Sequence, residues 1–520
     1  MTGSQTIFQL LHRTARRYPQ KCAVRCGEVT WSYADFSALC ERLAAGLRHE
    51  GVVKGSRVAV LSRNSHAFAA LRFALARVGA VLVPINFMLL ADEVAYILRH
   101  AGARVLALDE GLSALGRSAA SRDTQVEKFL GLPGESSPEP EGEDMLGFAR
   151  LAASAIALPE ISVVGSDLAQ IVYTSGTESL PKGAMLTHEA VVWQYVSCIV
   201  DGEMSAEDTF LHSLPLYHCA QLDCFLGPGV YLGATNVITA VPSAENLLPM
   251  IGRHAITSFF APPTVWISLL RSPLFDGANL SSLRKGYYGA SIMPVEVLRE
   301  MQRRLPEIRL WNFYGQTEIA PLATVLKPQD QLRKPGSAGK PTLNVETRIV
   351  DDSMRDVLPG QVGEIVHRSP QLLSGYFNDP DRTAAAFAGG WFHSGDLAVM
   401  DEEGYISIVD RKKDMIKTGG ENVASREVEE AMYAMEQVSE VAVIGLPHPK
   451  WVEAVVAVVV LKAGQSLRSD EVMAFCQQRL AGFKVPKAVV FVPSLPKNPS
   501  GKLLKRELRQ QFQGLFSSDG

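Results

Sequence analysis

The chain has 520 residues, of which 47% are hydrophobic and 20% are charged, and its formal net charge is −4. This composition is ordinary for a soluble globular protein, and the length is enough for about three domains with large apolar cores. A charge so near neutrality argues against a protein that coats nucleic acid, so small anions would have to be bound by local groups.

The cysteines and the apolar stretches indicate where the protein works. The seven cysteines contain no CxxC spacing, which disfavours a metal site and a disulfide framework and favours reduced thiols. The first residues of the chain lack the apolar core of a signal peptide. The longest apolar stretch, residues 68–87, contains Arg72 and Arg77 and therefore does not predict a membrane span. We expect a cytoplasmic protein without an integral membrane segment.

Strands alternate with helices over most of the chain. Buried strands are predicted at 55–63, 80–86 and 103–109, and a helix is predicted at 66–78. This alternation predicts an α/β architecture with mainly parallel pairing. Residues 132–145 are rich in proline, glycine and acids, which predicts an exposed surface loop.

The pattern of the elements changes toward the C-terminal end. Residues 362–369 and 404–411 are typical of strands in a smaller sheet. The elements predicted after them are helices at 425–435 and 470–480 and strands at 439–445, 453–461 and 488–493. We expect a large N-terminal domain of mixed α/β sheets over residues 1–411, joined by a hinge to a smaller α+β domain over 412–520. Ligand sites often lie at such an interface.

The strongest local signal is the loop at residues 173–183, Tyr-Thr-Ser-Gly-Thr-Glu-Ser-Leu-Pro-Lys-Gly. It follows a predicted strand and precedes a helix for which Thr187 is a suitable N-cap. Backbone N–H groups, hydroxyls and the Lys182 ammonium in such a loop can bind phosphate oxygens. Pro181 before the lysine excludes a Walker A motif. Taken alone, a loop of this composition is more often a plain turn.

Four further segments carry polar chemistry. They are Trp-Asn-Phe-Tyr-Gly-Gln-Thr-Glu at 311–318, Trp-Phe-His-Ser-Gly-Asp at 391–396, a charged stretch at 410–422, and Leu-Pro-Lys-Asn-Pro-Ser-Gly-Lys at 495–502. The first of them combines a ring for stacking, a hydroxyl for phosphate and a carboxylate for Mg²⁺. Each segment by itself could also be an ordinary loop.

The five segments together, in this order, resemble the adenylate-forming superfamily, in particular its acyl-CoA synthetase (fatty-acid–CoA ligase) branch. The resemblance runs from Thr30 to Lys502. It implies an ATP-dependent ligase that forms an acyl-adenylate and then transfers the acyl group to the thiol of coenzyme A. It also implies Mg²⁺ as a cofactor and rotation of the small domain between the two half-reactions.

The resemblance assigns roles to individual positions. It assigns ATP or AMP binding to Thr174, Ser175, Gly176, Thr177, Lys182, Gly289, Ala290, Ser291, Tyr314, Gly315, Thr317, Asp396 and Arg411. It assigns catalysis to Lys502, Glu318, Thr177 and His218. Glu318 would also hold Mg²⁺. Lys413 would be the hinge, and Gly420 would lie beside the channel for coenzyme A.

The first loop departs from the family pattern at Glu178 and Ser179, where the family usually has threonine and glycine. An acid beside a triphosphate is electrostatically unfavourable. One interpretation is that Glu178 points elsewhere and Lys182 still binds phosphate. The other is a catalytically weakened protein that binds an acyl group or a nucleotide. We favour the first interpretation, because the other assigned nucleotide and catalytic residues are present.

The substrate is less closely defined by the sequence. The candidate acyl pocket is lined by His218, Gln221, Leu222, Tyr287, Tyr288 and Ile319. It has no cation for a second carboxylate, and Asp223 falls after the position at which amino-acid-activating members carry an aspartate. Because no carrier domain follows, coenzyme A is the expected acceptor. We expect a medium- to long-chain fatty acid, with an aryl acid such as benzoate or coumarate as the alternative. A homodimer is left open.

Overall fold

The computed structural model describes residues 5–174, 181–289, 293–412, 414–418, 421–497 and 503–516. The large N-terminal part contains two mainly parallel sheets, covered by helices, and a small antiparallel sheet. The C-terminal part has its own sheet and helices. In the described residues no helix has the length and apolarity that crossing a membrane requires.

The two large sheets form the body of the protein. From edge to edge, the first consists of Lys340–Pro341, Leu322–Leu326, Arg309–Gly315, Lys285–Gly289, Ser258–Phe260, Thr209–His212, Thr235–Ile238, Cys22–Cys26 and Val29–Ser32. The second consists of Gly375–Tyr376, Lys182–Thr187, Leu168–Thr174, Val81–Pro84, Arg57–Leu61, Val105–Asp109, Lys128–Leu132 and Met145–Gly147. Their inner strands pair in parallel, as the α/β alternation predicted.

The inner strands of the second sheet are apolar on both faces because helices cover both sides. Val81–Pro84 and Val105–Asp109 are buried along their whole length. The helix His66–Val78, which precedes Val81–Pro84 in the chain, begins and ends with local signals. Ser65 accepts a hydrogen bond from the backbone N–H of Phe68, and Gly79 ends the helix with φ 76°.

The helices of the large part pack on these sheets. They are Ile7–Arg17, Tyr33–His49, His66–Val78, Ala91–Ala101, Ser113–Ala120, Phe148–Ala152, His188–Asp201, Cys219–Gln221, Gly227–Leu232, Ala244–Arg253, Pro263–Arg271, Val295–Arg304 and Pro380–Ala386. A π-helical turn, Leu222–Leu226, lies between two of them.

The loop at residues 132–145 differs in part from the prediction of an exposed loop. The Glu135 carboxylate accepts hydrogen bonds from the Thr239 hydroxyl at 2.9 Å and from the Ala240 N–H at 2.8 Å, and Pro140 is buried. The prediction was wrong for this portion because composition does not reveal that a single acid in the loop caps a neighbouring strand end.

The remaining sheets confirm the pattern expected in the C-terminal third. The small antiparallel sheet consists of Glu346–Val350, Gly363–Arg368, Phe392–Met400 and Ile406–Arg411. The last sheet consists of Glu421–Val423, Ile416–Thr418, Val452–Leu461 and Val438–His448, with Ala488–Phe491 also beside Val452–Leu461. The helices Ser425–Tyr433, Ser469–Gln477 and Lys505–Phe512 pack on it.

The chain changes sheets between Arg411 and Ile416, near the proposed boundary at residues 411 and 412. Polar contacts flank this change. Asp410 accepts hydrogen bonds from the N–H and the hydroxyl of Ser425, at 2.7 and 2.8 Å. Arg426 donates to the carbonyl of Gly336 at 3.2 Å. These contacts hold the small part against the large one in this arrangement.

Candidate active site

The two stems of the candidate phosphate loop lie side by side at the edge of the second sheet. Leu168–Thr174 and Lys182–Thr187 are antiparallel, and Thr174 is paired with Lys182. The Thr174 hydroxyl is buried and has no hydrogen-bond partner among the described residues. A buried unsatisfied hydroxyl is costly unless a ligand completes it. Ser175, Gly176 and Thr177, with the divergent pair at 178 and 179, lie outside the described residues.

Lys182 and Glu318 meet although they are far apart in the sequence. The Lys182 ammonium lies 3.0 Å from Glu318 Oε1 and donates to the Tyr376 hydroxyl at 2.6 Å. The Tyr376 hydroxyl donates to the same Oε1 at 2.9 Å. The predicted phosphate ligand and the predicted metal ligand therefore form one cluster with a shared phenol.

The electrostatics of this cluster keep the carboxylate charged. Burial by itself would raise the pKa of Glu318, but the charge and hydrogen bond of Lys182 and the hydrogen bond of Tyr376 bring the pKa below its usual value. Burial and the neighbouring Glu318 carboxylate raise the pKa of Tyr376, so this phenol stays protonated and remains a donor. At neutral pH the Glu318 carboxyl is therefore ionised and the Tyr376 phenol is neutral.

Sequence reasoning missed Tyr376. It lies on the short edge strand Gly375–Tyr376, which pairs with Lys182–Thr187 in the register Tyr376 to Ala184. A tyrosine after a glycine in a polar loop has no local chemical signal of function. Only the pairing of strands nearly 200 residues apart places its hydroxyl on the lysine.

The substitution Tyr376→Phe tests whether this cluster contributes to activity. We expect Tyr376→Phe to lower the rate of acyl-adenylate formation by about tenfold, because a hydrogen bond to a charged group is lost, with little change in the KM for the acid. Single-turnover AMP formation measures the rate. Tyr405→Phe is the matched control, since its hydroxyl donates to the Asp330 carboxylate at 2.8 Å in another part of the protein. Equal losses in both variants would contradict the role of Tyr376.

A second polar cluster joins three residues that the family resemblance assigns to the nucleotide. The Tyr314 hydroxyl donates to Asp396 Oδ2 at 2.6 Å, and Arg411 Nε lies 2.7 Å from Asp396 Oδ1. Asp396 and Arg411 are paired across adjacent strands of the small antiparallel sheet. The Asp396 backbone N–H donates to the Ser394 hydroxyl at 3.0 Å. An aromatic ring, a carboxylate and a guanidinium thus lie together, and these are the groups that the resemblance assigns to a nucleotide.

The glycines at 289 and 315 are required by packing. A Cβ atom on Gly289 would lie 2.3 Å from the carbonyl oxygen of Phe313, and one on Gly315 would lie 1.9 Å from that of Pro321. Neither site could hold a side chain without movement of the backbone. Their contact with a nucleotide stays a prediction.

The candidate acyl segment touches the nucleotide segment. His218 caps the short helix Cys219–Gln221, and its Nδ1 accepts a hydrogen bond from the Ala220 N–H at 3.1 Å. The Cys219 thiol lies 3.3 Å from the Thr317 hydroxyl. His218, predicted to line the acyl pocket, is therefore next in the chain to Cys219, which contacts the predicted nucleotide ligand Thr317.

The other candidate pocket residues do not all share one surface. Tyr287 and Tyr288 are neighbours on a strand, so their side chains point to opposite faces. The Tyr287 hydroxyl donates to the Gly202 carbonyl at 2.8 Å, whereas the Tyr288 hydroxyl donates to Gln331 Oε1 at 2.7 Å. The prediction that both rings line one pocket is corrected on this ground.

Further pocket residues are deeply buried. Gln221 accepts from the Leu214 N–H at 3.3 Å and lies 2.7 Å from His212 Nδ1, so its amide takes part in a core network. Leu222 and Ile319 are likewise buried in the core. Their contact with an acyl group stays a prediction.

Asp223 belongs to a buried network behind the acyl segment. Its carboxylate lies 3.2 Å from the Arg72 guanidinium and accepts hydrogen bonds from Gln170 at 2.7 Å and Tyr195 at 3.3 Å. Burial raises the pKa of Asp223. A carboxyl group held in this way is fully engaged by other residues of the protein.

Several assigned residues cannot be compared with the structure. Ala290, Ser291, Lys413, Gly420 and Lys502 lie outside the described residues.

The sequence matches two known protein-domain families. Residues 11–377 match the AMP-binding enzymes, and residues 427–502 match the AMP-binding enzyme C-terminal domain. Feruloyl-CoA synthase from Amycolatopsis sp. is 38% identical over 502 residues, which cover 96% of this chain and 98% of that protein. Indoleacetate–CoA ligase from Aromatoleum aromaticum is 37% identical over 506 residues, which cover 97% of this chain and 98% of that protein.

The likeness extends to solved structures. The crystal structure of ATP-bound MatB from Rhodopseudomonas palustris matches with a TM-score of 0.88 and 29% identity, and the match covers 98% of this chain and 100% of that one. Both the large and the small part of the chain are included, as the ordered motifs predicted.

Proposed function

Because this chain belongs to the AMP-binding enzyme family and is an AMP-forming acid–CoA ligase, we propose that its preferred substrate is an aryl-substituted carboxylic acid. Family membership confirms the expected class of enzyme, with ATP and coenzyme A as its other substrates, and the two-part α/β fold is that of the adenylate-forming enzymes. The medium- to long-chain fatty acid favoured by the sequence alone remains the competing substrate.

Two observations support an aryl acid. The relatives described above are named for feruloyl and indoleacetate groups, both of which carry an aromatic ring. In addition, the space behind the acyl segment is filled by the buried Arg72–Asp223 ion pair. A long alkyl chain extended in this direction would have to displace this buried ion pair, so a short, bounded pocket is favoured.

The contacts that support acyl-adenylate formation are the Lys182–Glu318 pair and the Tyr314–Asp396–Arg411 cluster. We propose that the second cluster holds adenine and ribose while Lys182 turns from Glu318 to the phosphates. The substrate carboxylate must then approach a negatively charged phosphorus. Two like charges about 4 Å apart repel by about 4 kcal/mol at an effective dielectric of about 20. Lys182, and Lys502 by resemblance, would offset this repulsion as AMP becomes the leaving group of the anhydride.

Mg²⁺ fits the donor chemistry of this site. Glu318 presents an ionised carboxylate, and Mg²⁺ is usually held by one or two carboxylates together with substrate phosphates. The contacts of Lys182 and Tyr376 both fall on Oε1 of that carboxylate. We propose that Glu318 would hold the ion, which when bound supplies positive charge to the phosphate oxygens.

The small domain offers a groove for coenzyme A. His448 stacks on Trp451 with ring centroids 4.3 Å apart, and the ammonium groups of Lys450 and Lys487 lie 5.5 and 5.4 Å from the centroid of the Trp451 ring. The groove encloses about 420 Å³. We propose that it takes the nucleotide end of coenzyme A, because aromatic faces bind bases and ammonium groups bind phosphates.

We expect Trp451→Ala to raise the KM for coenzyme A by about tenfold, the scale of one lost base–aromatic stack. The rate of AMP formation in single turnover without coenzyme A should stay unchanged. Trp193→Ala, at an exposed tryptophan of the large part, is the matched control. A rise in the KM for ATP equal to that for coenzyme A would contradict the proposal.

The proposed function is tested by AMP release from ATP and Mg²⁺ over a panel of acids, each with and without coenzyme A. The panel contains ferulate, coumarate, benzoate, indoleacetate, octanoate, palmitate and malonate. We expect the highest kcat/KM with an aromatic acid. Higher kcat/KM with octanoate or palmitate would establish the fatty acid instead. Binding of ATP without AMP release for any acid would point to Glu178 and Ser179 and to a catalytically weakened protein.

A further inference from the structure

Gln194 lies at a buried junction between the acyl segment and the nucleotide segment. It is on the helix His188–Asp201 and is 0% exposed. We assign the orientation of its amide from its neighbours, two carbonyls on one side and two thiols on the other: the nitrogen then donates to the carbonyl of Ala320 at 3.1 Å and to that of Asp223 at 2.8 Å. Its amide oxygen faces the thiols of Cys198 and Cys224, at 2.8 and 3.3 Å. One side chain therefore bridges two segments that are about 100 residues apart.

On the nucleotide side, Gln194 holds a strained turn. Ala320 ends the turn Thr317–Ile319 with φ 68°, a left-handed conformation that is unfavourable for alanine. Such strain persists only where the surroundings fix it. Two donors from a distant segment hold the neighbouring carbonyls. The Gln371 amide donates to Ile319 O at 3.1 Å, and the Leu373 N–H donates to Glu318 O at 2.8 Å. The position of the Glu318 carboxylate depends on these external donors.

On the acyl side, Gln194 holds a π-helical turn. Asp223 is the second residue of Leu222–Leu226, where the wider turn changes the ordinary helical pairing of carbonyls. Its carbonyl accepts the Gln194 amide, and its carboxylate is held by Arg72. The same turn continues the short helix that His218 caps. A shift of this segment against a bound acid would move the Asp223 carbonyl.

We propose that Gln194 is a positioning residue that couples occupancy of the acid site to the geometry of the Glu318 turn. A single NH₂ group serves two carbonyls, so displacement of one carbonyl reorients the hydrogen bond to the other. A bound acid would hold the Glu318 turn in the conformation that binds ATP. By thermodynamic reciprocity, bound ATP would increase the affinity for the acid. The inference rests on the proposed function, because it requires that an acid binds at the segment 218–226.

The test measures coupling at equilibrium. Titration calorimetry gives the affinity of the wild-type protein for α,β-methylene-ATP with Mg²⁺, with and without saturating ferulate. We expect saturating ferulate to increase the affinity for the analogue by about fivefold or more. In Gln194→Met, which keeps the volume but removes the donors, we expect the coupling factor to fall to about one, while the affinity for each ligand alone changes by less than about threefold.

Gln170→Met is the matched control. Gln170 is also fully buried and donates to the Asp223 carboxylate at 2.7 Å, but among the described residues its amide makes no hydrogen bond to the turn at 317–322. It should lose stability like Gln194→Met and keep the coupling. If the methionine variant at 194 does not fold, Gln194→Asn withdraws the amide by one methylene and is expected to lose the coupling as well.

The outcomes separate the inference from the proposed function. Coupling that survives in the folded Gln194 variant, or that is lost equally in Gln170→Met, overturns the inference. Wild-type protein that binds both ligands without coupling also overturns it and leaves the proposed function intact. Wild-type protein that binds the ATP analogue but no acid of the panel refutes the proposed function, and the inference is refuted with it.

Discussion

Replacement of Lys502 by alanine is expected to slow acyl-adenylate formation by about 10²–10³-fold, the scale of removing one electrostatic stabiliser of a transition state. The family resemblance places this lysine between the substrate carboxylate and the α-phosphate, where negative charge accumulates. Thioester formation from a supplied acyl-adenylate should change far less, because the resemblance implies that the small domain rotates between half-reactions and that this lysine has no part in the second.

Quenched-flow measurement of AMP and of acyl-CoA separates the two steps. Lys497→Ala is a suitable control, since this lysine lies near 502 in the chain and is paired with Glu440 at 2.6 Å. It should leave both half-reactions unchanged within about twofold, as expected for a partly exposed ion pair. Equal slowing of both half-reactions in Lys502→Ala would contradict the assigned role.

Replacement of Glu318 by glutamine is the second large effect that we expect. The change keeps the shape of the side chain but removes the charge that faces Lys182 at 3.0 Å. Acyl-adenylate formation should fall by about 10²–10³-fold, because the proposed carboxylate ligand of the Mg²⁺ ion at the reacting phosphates is lost. The Mg²⁺ concentration needed for half-maximal binding of ATP, measured by calorimetry, should rise as well, because a carboxylate ligand becomes an amide.

Glu427→Gln is the control for this variant. Glu427 pairs with Lys484 at 2.6 Å on the small domain and is about half exposed, so its loss should have little effect on activity. A Glu318→Gln enzyme with normal dependence on Mg²⁺ and a reduced melting temperature would show that Glu318 acts only in folding.

The sequence by itself determined the order of the elements and the chemistry of the motifs. Strands and helices could be predicted because their apolar periodicity is a local property of the sequence, as in Val105–Asp109 and His66–Val78. Tyr314 and Asp396, which the resemblance assigns to the nucleotide, were identifiable because each stands in a short segment with a recognisable pattern. Their direct hydrogen bond adds a contact that the segments, taken singly, do not reveal.

The tertiary structure decided what depends on contacts between distant segments. Tyr376 reaches Lys182 only because an edge strand of two residues pairs beside it. Tyr287 and Tyr288 are separated because a strand alternates its side chains between two faces. Gln194 bridges Asp223 and Ala320 through a π-helical turn and a left-handed residue that no composition predicts. Local patterns report which groups are available, whereas the packing of the two sheets and the helix between them fixes which groups meet.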